Sequence, residues 1–317
     1  MAEDFTLQEV LSDADAYFAA GDARGAIDVL FQGWDQFETS GMDGAVETVR
    51  LALGRICHAF WVKRDFETGT RITAMVVNAA LERARRTVEP EFAAVYAQAA
   101  AATGTSPFPL RRIFRHQNLV RLFRRVCAQV AGDVVECGCA RGLSFMELCL
   151  SFSKHHPDWS GEGFHVFDSF EGLSEPSEKD LAFDASDADA VQIVRNMLPG
   201  NFAVAFDLVR DNIHRRFPRV ELHPGWIPSA FSAVSGRSFR FVHLDVDLYQ
   251  PTLDSLDYFF PRLADGGAII TDDYNWPGAR TAFEEFCARH RLQLQTTDTS
   301  QAFVLKGSAA AQPGALA

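Results

Sequence analysis

The chain is predicted to adopt an α/β fold, a doubly wound parallel sheet ending in an antiparallel hairpin and preceded by an all-helical region. Two observations carry this. Beyond residue 106, the strand-like runs GDVVECG, GFHVFDS, VELHPGW, FRFVHLD and GAIITDD alternate with helix-patterned stretches, as βαβ crossovers require. The final runs, LQLQTTD and QAFVLKG, lie only a few polar residues apart, a spacing that suits a hairpin and not another crossover.

Residues 1–105 read as helix: alanines are frequent, and apolar residues recur at three-to-four spacing in LQEVLSDADAYFAA and GAIDVLFQGWDQF. Ala20-Gly21-Asp22 and Arg64-Asp65 break this pattern like the turns of helical hairpins, and the expected role of the region is packing or self-association. A boundary follows AQAAAATGTSPFPL, at Gly104, Pro107 and Pro109. The sheet domain then spans 106–307, and residues 308–317 (SAAAQPGALA) are expected to be a disordered tail. Five parallel strands closed by a hairpin favour the methyltransferase variant of this architecture over the dehydrogenase variant.

Composition narrows the function. A formal net charge of -12 argues against a nucleic-acid partner held through phosphates. The basic run RRIFRHQNLVRLFRR has apolar residues at helical spacing, so its charges are expected to form a solvated helix face. With no long apolar stretch and an acidic start, the protein is expected in the cytoplasm with no membrane partner, and its six scattered cysteines as free thiols. Cys137 and Cys139 read as buried thiols rather than zinc ligands.

Candidate chemistry gathers at strand ends. The first strand leads into Glu136, Gly138, Arg141 and Gly142; glycine lets the backbone pass close to a ligand, and the next helix offers free amides. The pattern is not G-x-G-x-x-G, so a ligand without phosphates fits better. Glu136 suits the amino group of a methionine moiety; a plain glycine turn with Ser144 as N-cap fits equally. At the end of the second strand, Asp168 suits a ribose diol, the alternative being a turn-capping aspartate. HLDVDLY and TDDYN then bring Asp245, Asp272 and Asp273 to one sheet edge. Asp272 and Asp273 converge only if the strand ends there, a turn that Tyr274, Asn275 and Pro277 support. The three acids offer hard oxygen ligands suited to Mg2+; solvated acids capping a helix are the alternative. Asp247 is a further candidate there. His243 would share the face of Asp245, as a proton carrier or a packed core histidine. The acidic run SEPSEKDLAFDASDADA fits a lid or a solvated loop.

Taken together, GDVVECGCARGLS, FHVFDSFEGL, HLDVDLYQPTLDSL and GGAIITDDYNWPGARTAFEEF resemble the macrocin O-methyltransferase family over residues 115 to 306. The resemblance implies an S-adenosylmethionine- and Mg2+-dependent O-methyltransferase acting on a small hydroxylated substrate. It implies that Glu136, Gly138, Arg141 and Ser144 border the methionine part of the cofactor and that Asp168 binds ribose. It also implies that Asp245, Asp272 and Asp273 hold the metal, with Asp245 as general base. A metal-independent methyltransferase acting on oxygen or nitrogen is the alternative, and a homo-oligomer is expected. Ala140, Leu143 and the Gln250-Pro251 pair depart from the family pattern, and the helical region is longer than the leader expected there.

Overall fold

The computed structural model describes residues 6–39, 49, 52–53, 88–105, 110–182, 197–297 and 299–307. Arg64-Asp65, Pro107, Pro109 and the tail after Gly307 therefore lie outside the described residues. Two compact units divide the chain, Met1–Thr87 and Val88–Ala317.

In the first unit, α1 (Leu7–Ala19) begins at a capping box. The Thr6 hydroxyl accepts from the Glu9 amide at 3.3 Å, and the Glu9 carboxylate accepts from the Thr6 amide at 2.8 Å. The break at Ala20-Gly21-Asp22 is a tight turn, and α2 (Ala23–Thr39) follows it. Val10 and Ala14 pack there with Ala26, Ile27 and Leu30.

The second unit begins earlier than the boundary near residue 105 that the sequence suggests. The reason is packing: helix α3 (Pro90–Thr103) buries Phe92, Val95, Tyr96 and Ala99 in the same core as the sheet. Its alanines give close approach to a neighbouring helix rather than membership of the helical region.

Then come α4 (Leu110–Cys127), β1 (Asp133–Cys137), α5 (Leu143–Ser153), β2 (Phe164–Asp168), α6 (Phe206–His214) and β3 (Glu221–Pro224). A short 3-10 helix (Ser229–Val234), β4 (Phe239–Leu244), α7 (Tyr249–Arg262), β5 (Leu263–Thr271), α8 (Pro277–His290), β6 (Gln295–Thr296) and β7 (Ala302–Leu305) complete it. The seven strands lie in the order β3-β2-β1-β4-β5-β7-β6. All neighbours through β5 are parallel, and β7 pairs antiparallel with both β5 and β6, as the hairpin spacing predicts.

Alternation along the strands builds two cores. Val134, Phe241, Ala268 and Ile270 face α3, α4 and α5, whereas Val135, Val242, Leu244 and Ile269 face α7 and α8. Parallel strands covered on both sides read as near-continuous apolar runs, as these do. Strand order reverses between β1 and β4, and at such a point the connecting loops diverge beyond the carboxyl ends to leave a crevice. Among the described residues no helix is long and apolar enough to cross a membrane.

Candidate active site

The crevice begins at Gly138, just beyond β1. Its φ of +78° places it in the left-handed region, and a Cβ there would meet the Asp245 carbonyl oxygen at 2.0 Å. The Asp245 amide donates to the Cys137 carbonyl at 2.9 Å, so the first loop and the first acid are held against each other. Helix α5 is capped at Gly142 without a side-chain bond, so Ser144 is not its N-cap. Instead the Ser144 hydroxyl donates to Glu136 Oε1 at 2.6 Å. The Glu136 carboxylate is fully buried, and its Oε2 has no hydrogen-bond partner. Exposed Arg141 points elsewhere, donating from Nε to the Thr103 carbonyl at 3.2 Å. Cys137 and Cys139 are free and buried, and burial pushes both thiols up, away from reactivity.

Asp168 serves the turn that follows β2. Its Oδ2 accepts from the Cys139 amide and its Oδ1 from the Phe170 amide, both at 2.8 Å. Each carboxylate oxygen keeps a second acceptor direction, so this capping role leaves room for a ligand hydroxyl. Asp168, Gly138 and Asp245 share the wall of a cavity of about 170 Å3, with Trp226, Ile227 and Leu173. Trp226 is exposed, although it follows the VELHPG run where a strand end could have drawn notice.

Beyond β4 and β5 the acids separate into two groups. Register places Glu136 opposite His243 and His243 opposite Ile270, so Asp272, two residues further, lies on the α4 face. Buried His243 bridges there, with Nδ1 at 2.7 Å from Glu136 Oε1 and Nε2 at 3.1 Å from Asp272 Oδ1. Gln301 donates to Asp272 Oδ1 at 2.8 Å, and Arg115 Nε stands 2.9 Å from Asp272 Oδ2. The basic run is therefore not wholly a solvated face: α4 carries Arg115 over the sheet end and into the acids, which helical periodicity alone cannot show. Burial alone would depress both Arg115 and His243, but the facing carboxylates outweigh it and hold both cations charged. Burial would likewise raise Asp272, and the charges of Arg115 and His243 overcome it, holding the carboxyl well below the usual range.

Asp273 goes the other way. The expected turn is present, with the Trp276 amide donating to the Asp273 carbonyl at 2.8 Å, but it follows both acids. Both acids lie just beyond Thr271, the last residue of β5, and Asp273 Oδ2 accepts from the Asp247 amide at 2.9 Å. With one ligand atom from each, Asp245, Asp272 and Asp273 do not gather within 4.8 Å of one another. Burial, then the charges of Asp247 and Asp245, push the Asp273 carboxyl well up. A raised carboxyl costs stability, and the cost is absent below its unfolded value of about 3.9 and complete above the folded one. Asp273→Asn is therefore expected to melt about 3 °C higher than the parent at neutral pH without added cation, an advantage that shrinks as pH falls toward 4. Thermal melts across that range check this; a lower melting temperature at neutral pH would show that Asp273 is not under repulsion.

The acidic run after Leu173 is neither purely lid nor purely solvated where it is described. Asp180 is buried, accepts from the Tyr249 amide at 2.6 Å and so caps α7, while its other oxygen takes the Ser177 hydroxyl at 2.6 Å. Lys179 donates to the Tyr249 hydroxyl and to Glu285, both at 2.7 Å. Residues 183–196 lie outside the described residues.

This strand order, with a cavity at the β1/β4 reversal walled by Gly138 and Asp168, defines a class I methyltransferase fold. Its family follows from the sequence: residues 65–305 match the profile of Macrocin-O-methyltransferase (TylF), and the chain belongs to that family. It is 33% identical over 172 residues to the 8-demethyl-8-(2,3-dimethoxy-alpha-L-rhamnosyl)-tetracenomycin-C 4'-O-methyltransferase of Streptomyces olivaceus, a match covering 51% of this chain and 60% of that one. Mycinamicin III 3''-O-methyltransferase of Micromonospora griseorubida is 29% identical over 170 residues, 51% of this chain and 63% of that one. The chain thus spans about 60% of the length of these curated relatives. Among solved structures, the O-methyltransferase NovP is similar with a TM-score of 0.51 and 25% identity, covering 64% of this chain and 84% of NovP. Calicheamicin methyltransferase CalS11, at 18% identity and a TM-score of 0.50, shares the fold over 70% of this chain and 95% of its own.

Proposed function

We propose that the protein transfers the methyl group of S-adenosylmethionine to a hydroxyl oxygen of a small acceptor, a sugar or sugar-bearing natural product presenting vicinal oxygens. The observation that carries this is the shared cavity wall of Gly138, Asp168 and Asp245, which supports reading the turn after β2 as the ribose site and Asp245 as the base beside it. Family membership and the rhamnosyl-bearing substrate in the name of the Streptomyces olivaceus relative support the acceptor class.

In this reading Asp168 receives the ribose hydroxyls on its remaining acceptor directions, and Trp226 offers a flat face to adenine. The unpartnered Glu136 Oε2 calls for a donor, which the ammonium of the methionine moiety supplies; Ser144 and His243 hold that carboxylate in place. Asp245 accepts the proton of the acceptor hydroxyl as the acceptor oxygen attacks the sulfonium methyl carbon in line; the carbon–sulfur bond breaks, S-adenosylhomocysteine leaves, and no covalent enzyme intermediate is needed. Arg141, tied to Thr103, borders the loop from outside.

Mg2+ belongs to the proposal through donor chemistry. Asp245, Asp272 and Asp273 offer only oxygen, and the charge crowded on Asp273 by Asp247 and Asp245 is what a dication relieves. Bound there, it would make the acceptor hydroxyl more acidic. For Asp272 to be a ligand, however, it must loosen its hold on Arg115 and Gln301. That commitment favours a second reading, a metal-independent transferase in which Arg115 supplies the fixed positive charge.

One experiment addresses both readings. Labelled S-adenosylmethionine is incubated with rhamnosylated aglycones, with and without excess chelator. Methyl transfer abolished by chelator and restored by Mg2+ is expected; full activity in chelator selects the metal-independent reading. Absence of S-adenosylmethionine binding by calorimetry would end both.

A further inference from the structure

A second cluster lies away from the acids, on the α7 face of the sheet. Asp133 opens β1, His165 is the second residue of β2, and Glu221 and His223 stand on edge strand β3. Register pairs His165 with Glu221, and alternation turns all four side chains to one face. His165 Nδ1 is 3.2 Å from His223 Nε2 and 3.9 Å from Glu221 Oε1, and one atom from each of the three lies within 4.8 Å of the others.

We propose that His165, His223 and Glu221 form a metal site for a nitrogen-preferring dication such as Zn2+, separate from the proposed catalytic acids. Two ligand atoms about 2.0–2.1 Å from a tetrahedral ion sit about 3.3 Å apart, which the two imidazole nitrogens nearly meet. His165 Nε2 is 3.2 Å from Asp133 Oδ2, the carboxylate contact that turns a ligand imidazole's other nitrogen toward a metal. His165 is fully buried while His223 and Glu221 are partly exposed, so the site is rigid at one side and open to entry at the other. Imidazole donors select Zn2+, Co2+ or Ni2+ over Mg2+, so this site and the oxygen-only acids would not compete for one ion. Arg237 pairs with Asp133 at 2.9 Å and with Glu221 at 3.1 Å; it is the resident cation that an incoming ion must displace from Glu221. An ion here would pin a short edge strand whose continuation, Gly225 to Ile227, walls the cofactor cavity.

The inference is independent of methyl transfer and is read by binding. Full-length, chelator-stripped protein in excess Mg2+ is titrated with Zn2+ by calorimetry and with Co2+ by visible absorption. Saturable uptake of about one equivalent is expected, with the strong visible band of tetrahedral Co2+. His223→Gln and Glu221→Gln, both partly exposed, are expected to weaken uptake by about 10–100-fold or more, and Arg237→Gln to tighten it about tenfold. No saturable uptake, uptake unchanged in His223→Gln, or uptake weakened in Arg237→Gln would overturn the assignment and leave a histidine pair joined by a hydrogen bond.

Discussion

Replacing Arg115 with leucine is expected to destabilise the sheet domain by about 3–5 kcal/mol, because it takes from a buried carboxylate the larger of its two counter-charges and leaves only His243. Asp272 is 1% exposed, and Arg115 is the first of the cations that hold it ionised. The sign follows from that lowered carboxyl: a depressed folded value adds stability above the unfolded value of about 3.9, and the gain fades as pH falls through that range. In Arg115→Leu most of the gain is gone at neutral pH, so its melting temperature should approach that of the parent as the medium is acidified. Adding Asp272→Asn removes the carboxylate charge, and the double variant is expected to recover most of the loss. A double-mutant cycle by denaturant unfolding measures the coupling. Additive effects, or a single-variant loss below about 1 kcal/mol, would mean the pair is no more than a solvated surface contact.

How much of this pair was legible shows where sequence reasoning stops. The strands, their parallel order and the terminal hairpin could be read because alternation and connection length are local properties. Asp168 and Asp245 were legible because a strand's carboxyl end is marked by the end of its apolar run. Arg115 was not: its neighbours Ile113, Leu119 and Leu122 satisfy helical periodicity, so the arginine counts as a polar-face residue until α4 is laid across β4 and β5. Gln301 reaches Asp272 from the last hairpin, and no spacing rule joins them. Asp180 sits in a run of like charge, where nothing local separates the buried cap from its solvated neighbours. Asp272 and Asp273 both follow Thr271, the last residue of β5, and the expected turn comes after them; the sequence places the two acids at a strand end but carries no sign of the different partners each one takes.

The Asp245→Asn variant is the sharper test of chemistry. It keeps the shape of the side chain and removes its basicity, so kcat is expected to fall by about 10²–10⁴-fold, the range for loss of a positioned general base. Folding should survive, because Asp245 is partly exposed and its backbone, not its carboxylate, locks against Gly138. Affinity for S-adenosylmethionine should change little, since Glu136 and Asp168, the proposed cofactor carboxylates, are held by other partners. The same variant also separates the two roles assigned to Asp245. A base acting without metal gives a rate loss that shrinks as pH rises and the acceptor hydroxyl ionises more readily, with chelator making no difference. A residue that also helps to hold Mg2+ gives, in addition, a weaker Mg2+ isotherm measured without acceptor. A kcat within about threefold of the parent would remove Asp245 from the reaction. Catalysis would then have to be sought at Asp247 or Asp273, the acids that press on each other beside it.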